Sequence, residues 1–157
     1  MSEELWPQRP RPVTDGDAVV LAVWDPVIPC ELTLGRRQLS AALHDGARPP
    51  ATAEGAVERL LLCHEELASN AMLHGRLPVR VEVLAGPGWW LLDVSDAAPD
   101  NPPVPATDRD PSDGGLGLHL VPRVCAAHGW YVADGRKHVW ALIHHRPAEE
   151  SASADAR

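Results

Sequence analysis

The 157-residue sequence lacks phenylalanine and has one tyrosine, so its six tryptophans supply nearly all of its aromatic bulk. It also lacks a C-x-x-C pair, because Cys30, Cys63 and Cys125 lie far apart among apolar residues, as small buried hydrophobic residues do. No apolar run reaches the roughly 18 residues that span a bilayer, and the N-terminus has no signal-peptide layout. We therefore expect a protein of the reducing cytoplasm with no membrane partner.

Basic residues are scarce as well. The chain has 14 lysines and arginines against 22 acidic residues, for a formal net charge of -8. Contacts to nucleic acid phosphates need a concentrated basic surface, and the sequence contains no such stripe, so no direct nucleic-acid partner is expected. The eight histidines lack the spacing of metal ligands, which argues against zinc.

The length and composition predict one domain between two disordered tails. Residues 1–17 are rich in proline and charge, and residues 147–157 are small, polar and charged. The remaining residues 18–146 are enough for a single domain with a sizeable core.

Apolar periodicity predicts an alternation of strands and helices in this domain. Helices are expected over 32–46, 53–74 and 116–129. Thr52 is the expected N-cap of the second helix, and Gly75 is its C′ glycine. The third helix should start near Leu118, because Pro122 fits only the first turn of a helix. Strands are expected at Ala18–Trp24, Val79–Leu84, Trp89–Val94, Trp130–Ala133 and Val139–Ile143.

One predicted helix carries two polar residues that can serve two different roles in one reaction. Glu66 and Asn70 are four residues apart and therefore share a helix face, which His74 extends. A carboxamide oxygen is a neutral hard ligand for Mg²⁺, and a carboxylate accepts a proton from a hydroxyl or water. Taken alone, the pair is more typical of a solvated helix face than of a site.

Two further features lie at the ends of elements. Asp96 ends the predicted strand, where its carboxylate can accept from an exocyclic amine such as that of adenine or can form a turn. Glycines precede the third predicted helix at Gly114, Gly115 and Gly117, before Leu118. Free backbone N–H groups at such a helix start favour a phosphate. The sequence here is neither a Walker A loop nor a full dinucleotide fingerprint.

These three features, in this order, resemble the GHKL (Bergerat-fold) ATPases and kinases. The segment ELASNAMLHG resembles a motif of bacterial anti-sigma-factor serine/threonine kinases, and the resemblance covers roughly residues 18 to 144. It implies a two-layer α/β sandwich, with a mixed sheet under helices on one face, that binds ATP and Mg²⁺. Asp96-Ala-Ala-Pro99-Asp departs from the glycine-containing Asp box of that superfamily, which implies a stiffer lid and a lower affinity.

By resemblance, each candidate residue receives a role. Glu66 matches the general base, Asn70 the Mg²⁺ ligand and Asp96 the adenine-binding aspartate. Gly115 and Gly117 match the phosphate-loop glycines, and Gly114 and Leu118 flank them in the nucleotide site. His74 and Gly75 match the motif without a firm role, and Arg36 and Arg37 are read as surface charges.

Two functions remain open. The first is a serine/threonine protein kinase that uses MgATP to phosphorylate an anti-sigma antagonist. The second is a non-catalytic switch, in which ATP orders the lid, Ala97 to Asp113, and so controls binding to a sigma factor or a similar protein. A homodimer is compatible with both. Hydrolysis of ATP for metabolism is disfavoured, because the chain has no further domain that would use the turnover.

Overall fold

The computed structural model describes residues 4–14, 16, 18–44, 55–105 and 117–146. These residues form three helices and five strands: β1 Val19–Trp24, α1 Cys30–His44, α2 Ala56–His74, β2 Arg80–Gly86, β3 Trp89–Asp96, α3 Gly117–Val124, β4 Ala127–Ala133 and β5 Arg136–His144. The predicted α/β class is confirmed, and every predicted strand overlaps an observed one.

The five strands form one sheet in the order β1-β2-β3-β5-β4, and every neighbouring pair in it is antiparallel. The prediction of a mixed sheet is therefore wrong for these strands. The reason lies in the last hairpin: β3 and β4 run in the same direction, but β5 is inserted between them and pairs antiparallel with both. Among the described residues, parallel pairing is confined to an isolated bridge between Gln8 and Trp130.

The helices pack against one face of this sheet, as expected. Helix α2 lies across β3 and β5, and α1 and α3 pack on either side of it. Strand alternation explains the layering, because Trp90, Leu92 and Val94 of β3 all point into the buried core shared with the helices. A smaller apolar cluster, formed by Leu84, Leu91 and Trp140, lies on the outer face of the sheet.

Three helix boundaries differ from the predictions, and the first is that of α1, which begins at Cys30 and not at residue 32. Helix α2 begins at Ala56 after Gly55, whose φ of 80° suits glycine, and not at residue 53. Thr52, the predicted N-cap, lies outside the described residues. Helix α3 ends at Val124, because the residues from Ala127 onward, predicted as helix, pair with β5.

The N-terminal residues predicted as a disordered tail pack on the domain. We call residues 5–13 the strap. Trp6 is 2 % exposed and belongs to the main core. Beyond it, Arg9 donates its backbone N–H to the Trp130 carbonyl at 2.8 Å and places its guanidinium 5.4 Å from the Trp140 ring centroid. The strap thus passes around the β4 edge to the outer face of the sheet.

On that outer face the strap ends in an ionic contact. Arg11 lies 3.0 Å from a carboxylate oxygen of Asp93, which is 5 % exposed. Asp93 also accepts from the Tyr131 hydroxyl at 3.2 Å and lies 3.0 Å from Nδ1 of His138. A buried carboxylate needs such partners, so this network explains how an aspartate is tolerated in the centre of the sheet.

The strap also supplies a hydrogen bond that a proline inside α3 removes. Pro122 lies five residues after the start of α3 at Gly117, and so not in the first turn as predicted. Because proline has no N–H, the carbonyl of Leu118, four residues earlier, has no helical donor. Trp6 supplies one: its indole Nε1 donates to the Leu118 oxygen at 2.7 Å. The helix therefore depends on the strap at this point.

The cysteines are all free, but they differ in burial. Cys63 is buried and Cys125 is half-buried, whereas Cys30 is exposed at the start of α1, which contradicts the expectation of burial. The predicted core or sheet-face positions of Trp89, Trp90 and Trp140 are confirmed. Among the described helices, none is long and apolar enough to cross a membrane.

Candidate functional site

The predicted polar row of α2 opens onto the start of α3. Glu66, Asn70 and His74 line a small cavity together with Gly117 and Leu118, and Ser69 and Leu73 complete its wall. The helical period puts the first three residues on one face, and the packing of α3 beside α2 closes the cavity. Its volume is about 30 Å³, which suits a water molecule or a metal ion.

Glu66 and Gly117 are in close contact. A Cβ atom added to Gly117 would overlap Oε2 of Glu66 and would lie 2.6 Å from its Cβ. Glycine at this position therefore lets the first turn of α3 approach the carboxylate. Gly114 and Gly115, the other predicted phosphate-loop glycines, lie outside the described residues. The Leu118 side chain is buried in the core beside this contact.

The surroundings of Glu66 change its acidity. Partial burial raises the pKa of the Glu66 carboxyl above its usual range, and the charge of neighbouring Glu65 raises it further. Both effects disfavour the ionised form. A carboxylate with a raised pKa is a stronger proton acceptor, which is the property that a general base near neutral pH requires.

A larger cleft lies on the other side of Asn70 and His74. It has a volume of about 250 Å³ and an apolar wall of Pro102, Pro103 and Val104. Its polar lining comes from Asn70, His74, Asn101 and Lys137. Asn70 and His74 thus separate a site of ion size from a cleft that can hold part of an organic ligand.

Asp96 lies below this cleft and is 1 % exposed. Its Oδ1 accepts the backbone N–H of Ala98 at 2.8 Å, so the aspartate forms the turn that the sequence allowed. A Cβ on Gly75 would lie 2.5 Å from Oδ2. Gly75 has an extended backbone, with φ −89° and ψ −160°, so the reason for glycine is this close approach and not a left-handed helix cap.

Lys137 is the partner of Asp96. Its Nζ lies 3.3 Å from Oδ2, and the two side chains are 2 % and 1 % exposed. The ammonium also donates to the Asn101 carbonyl at 2.6 Å. The β3–β5 register places Asp96 directly opposite Lys137, so the sheet itself brings the two charges together. Pairing offsets the large desolvation cost of burying them.

His74 has a buried nitrogen in this region. Its carbonyl accepts from Nδ2 of Asn101 at 2.7 Å, but among the described residues its Nε2 atom has no hydrogen-bond partner. Buried polar atoms are nearly always paired in folded proteins. An unpaired ring nitrogen at the wall between the two cavities therefore marks a position where a ligand atom would be stabilised.

Sequence reasoning missed Lys137 and Asn101. Lys137 had a signal: in strand β5 it alternates with Val139, Ala141 and Ile143, so its side chain occupies a position of the core face. A lysine in that register needs a buried partner. Asn101 lies in the irregular segment after β3 and had no comparable pattern.

The structure brings together four of the predicted site residues, Glu66, Asn70, Gly117 and Leu118, and leaves Asp96 beneath the neighbouring cleft. Among the described residues no group of three or more histidine, cysteine, aspartate or glutamate side chains could hold a metal ion. In comparisons with known proteins, no family model matches the chain, and no curated protein matches its sequence significantly.

Proposed function

We propose that the small cavity between α2 and α3, together with the larger cleft beside it, binds MgATP and that the bound nucleotide serves to phosphorylate or control another protein. The observation that carries this proposal is the contact between the Glu66–Asn70 row and the start of α3 at Gly117. A proton acceptor and a hard oxygen ligand lie there beside a helix N-terminus, which favours phosphate.

The donors fit magnesium better than zinc. Mg²⁺ is usually held by one or two protein oxygens together with waters and substrate phosphates. The Asn70 carboxamide oxygen is the protein ligand in this proposal, in a cavity of about 30 Å³. The larger cleft beyond Asn70 and His74 would take the nucleoside.

In the kinase form of this proposal, Glu66 accepts the proton of a partner's hydroxyl as that oxygen bonds to the γ-phosphorus and ADP leaves. The acceptor would be a serine or threonine of an anti-sigma antagonist. Support for Glu66 comes from its raised pKa, caused by burial and by Glu65, and from its place beside the phosphate-favouring helix start.

The second candidate is a non-catalytic switch that controls a sigma factor or similar partner. It is favoured by the link between Lys137, Asp96 and the Asn101 carbonyl, which ties the segment after β3 to the floor of the cleft. A nucleotide that contacts Asp96 would loosen this link and so alter the surface formed by that segment.

Calorimetry of the wild-type protein and of Asn70→Ala with ATP, in the presence and absence of Mg²⁺, tests the proposal. We expect Asn70→Ala to weaken Mg²⁺-dependent binding by about 10-fold to 100-fold, as losses in a metal's ligand environment do. Glu58→Gln, at an exposed residue in the first turn of the same helix, is the control and should bind like wild type. Equal MgATP affinity of Asn70→Ala and wild type would contradict the role of Asn70, and no binding by wild type would contradict the function.

A further inference from the structure

The cleft presents an unusual group at the place where a nucleobase would lie. Lys137, and not Asp96, lines the cleft, together with Asn70, His74 and Asn101. The carboxylate lies behind the ammonium, which is 3.3 Å from its Oδ2. A ligand entering the cleft therefore meets a hydrogen-bond donor before it meets the acceptor.

Both carboxylate oxygens of Asp96 already have partners within the fold. Oδ1 accepts from the Ala98 N–H at 2.8 Å, and Oδ2 faces the ammonium of Lys137 and the backbone at Gly75. The aspartate side chain is 1 % exposed. A new donor can reach Oδ2 only if the ammonium moves away, and that movement also breaks its 2.6 Å bond to the Asn101 carbonyl.

This arrangement discriminates between the two common substituents at position 6 of a purine base. The 6-amino group of adenine is a donor, so it cannot bond to the Lys137 ammonium and must displace it to reach Asp96. The 6-oxo group of hypoxanthine is an acceptor, and it can accept a hydrogen bond from the Lys137 ammonium with the ion pair intact. A purine without a substituent at position 6 can neither displace the Lys137 ammonium nor accept a hydrogen bond from it there, so this contact leaves its affinity unchanged.

We propose that Lys137 sets the base specificity of the cleft by occupying the acceptor that the adenine amino group needs. This inference rests on the proposed nucleotide binding and deepens it: the phosphates and Mg²⁺ supply most of the affinity, and the adenine amino group adds little while Lys137 is present. Lys137 is a specificity-determining residue in this scheme and takes no part in the chemical step.

Wild-type protein alone provides the first test. Calorimetry would compare MgATP with the magnesium complexes of inosine triphosphate and purine riboside triphosphate. The three bases differ at position 6, and hypoxanthine in addition carries a hydrogen at N1, where the other two bases have an acceptor. We expect inosine triphosphate to bind several-fold more tightly than ATP, and ATP to bind no more tightly than purine riboside triphosphate. An affinity for ATP about ten times that for purine riboside triphosphate would overturn the inference, because the amino group would then reach an acceptor with Lys137 in place.

The second test is Lys137→Met, which keeps the length of the stem and removes the donor. The ratio of ATP affinity to inosine triphosphate affinity should rise at least about tenfold, and adding Asp96→Asn should remove most of that gain. The matched control is Arg136→Met, because Arg136 is the adjacent cation but donates to Ser95 and to the Pro78 carbonyl. An unchanged ratio in folded Lys137→Met would overturn the inference.

Failure of this inference is distinguishable from failure of the proposed function. If all three triphosphates bind, but in an order of affinity other than the one expected above, the proposed nucleotide site is supported and the proposed role of Lys137 is wrong. If none of the three binds to wild-type protein, the proposed function falls and this inference falls with it.

Discussion

At the scale of single residues, two glycines leave the space that the carboxylates of the candidate site occupy. Gly117 leaves room for Glu66 at the start of α3, and Gly75 leaves room for Asp96 at the end of α2. A side chain at either position would collide with the carboxylate. The close approaches, more than any special backbone angle, explain why glycine occupies these two positions.

Glu66→Gln is the substitution that separates catalysis from binding. The amide keeps the size of the side chain but cannot accept the proton. In the kinase form of the proposal, we expect transfer of labelled phosphate from ATP to the partner protein to fall by roughly 10² to 10⁴, with little change in ATP affinity. Transfer at the wild-type rate in this variant would exclude Glu66 as the base.

Glu65→Gln is the matched control, since Glu65 is exposed and lies beside Glu66 on α2. Removing its charge should lower the pKa of Glu66, because Glu65 raises it in the wild-type protein. The ionised base would then persist to lower pH. We therefore expect near-normal transfer at neutral pH and a pH–rate profile displaced toward acid.

At the scale of elements, the strap and α3 stabilise each other. Trp6 fills the core and donates to the Leu118 carbonyl that Pro122 leaves without a helical donor. In the opposite direction, Nε1 of Trp130 donates to the Trp6 carbonyl at 3.2 Å. Since Leu118 also lines the candidate site, loss of the strap would disturb the helix start that the proposal assigns to phosphate.

Trp6→Ala should lower the free energy of unfolding by about 3–5 kcal/mol, the usual loss for a buried tryptophan. Trp6→Phe keeps most of the ring and loses the N–H donor, so about 1–3 kcal/mol is expected. Denaturant titration of both variants measures these losses. Leu5→Ala, at a neighbouring residue that is 38 % exposed, is the control. A Trp6→Ala protein as stable as the control would show that the strap does not belong to the folded core.

At the scale of the whole molecule, stability depends on keeping buried histidines neutral. His64 is 2 % exposed and lies edge-on to Trp24, with ring centroids 5.3 Å apart. Burial, together with a smaller effect of the charge of Arg36, lowers the pKa of His64 from 6.5 to about 4. Burial also lowers the pKa of His145, with a smaller contribution from Arg146. In both cases the folded state binds protons less readily than the unfolded state.

The sign of the pH dependence follows from these shifts. Stability from neutral His64 is fully present above pH 6.5 and is lost as the pH falls toward about 4, by roughly 3 kcal/mol in total. His64→Gln cannot titrate there, so its difference from wild type in unfolding free energy should change by about that amount between pH 7 and pH 4. His44→Gln, at an exposed residue, is the control. A pH-independent difference for His64→Gln would contradict the assignment.

Features that depend on neighbours along the chain could be predicted from the residues alone. The strands, the central part of each helix and the common face of Glu66, Asn70 and His74 follow from local periodicity. Gly117, the first residue of α3, could also be predicted, because a glycine-rich segment before an apolar helix is a local pattern. The sequence also showed Asp96 at a strand end, where its turn-forming role is local.

Contacts between residues far apart in the sequence became visible only in the folded chain. Trp6 bonds to Leu118 at a separation of 112 residues, and no local pattern in the strap predicts that contact. Lys137 meets Asp96 because β5 pairs with β3, and the same insertion of β5 made the sheet antiparallel where a mixed sheet was expected. Periodicity shows which face a side chain occupies, but the partner on that face depends on strand order and register, which are set by packing of the whole core.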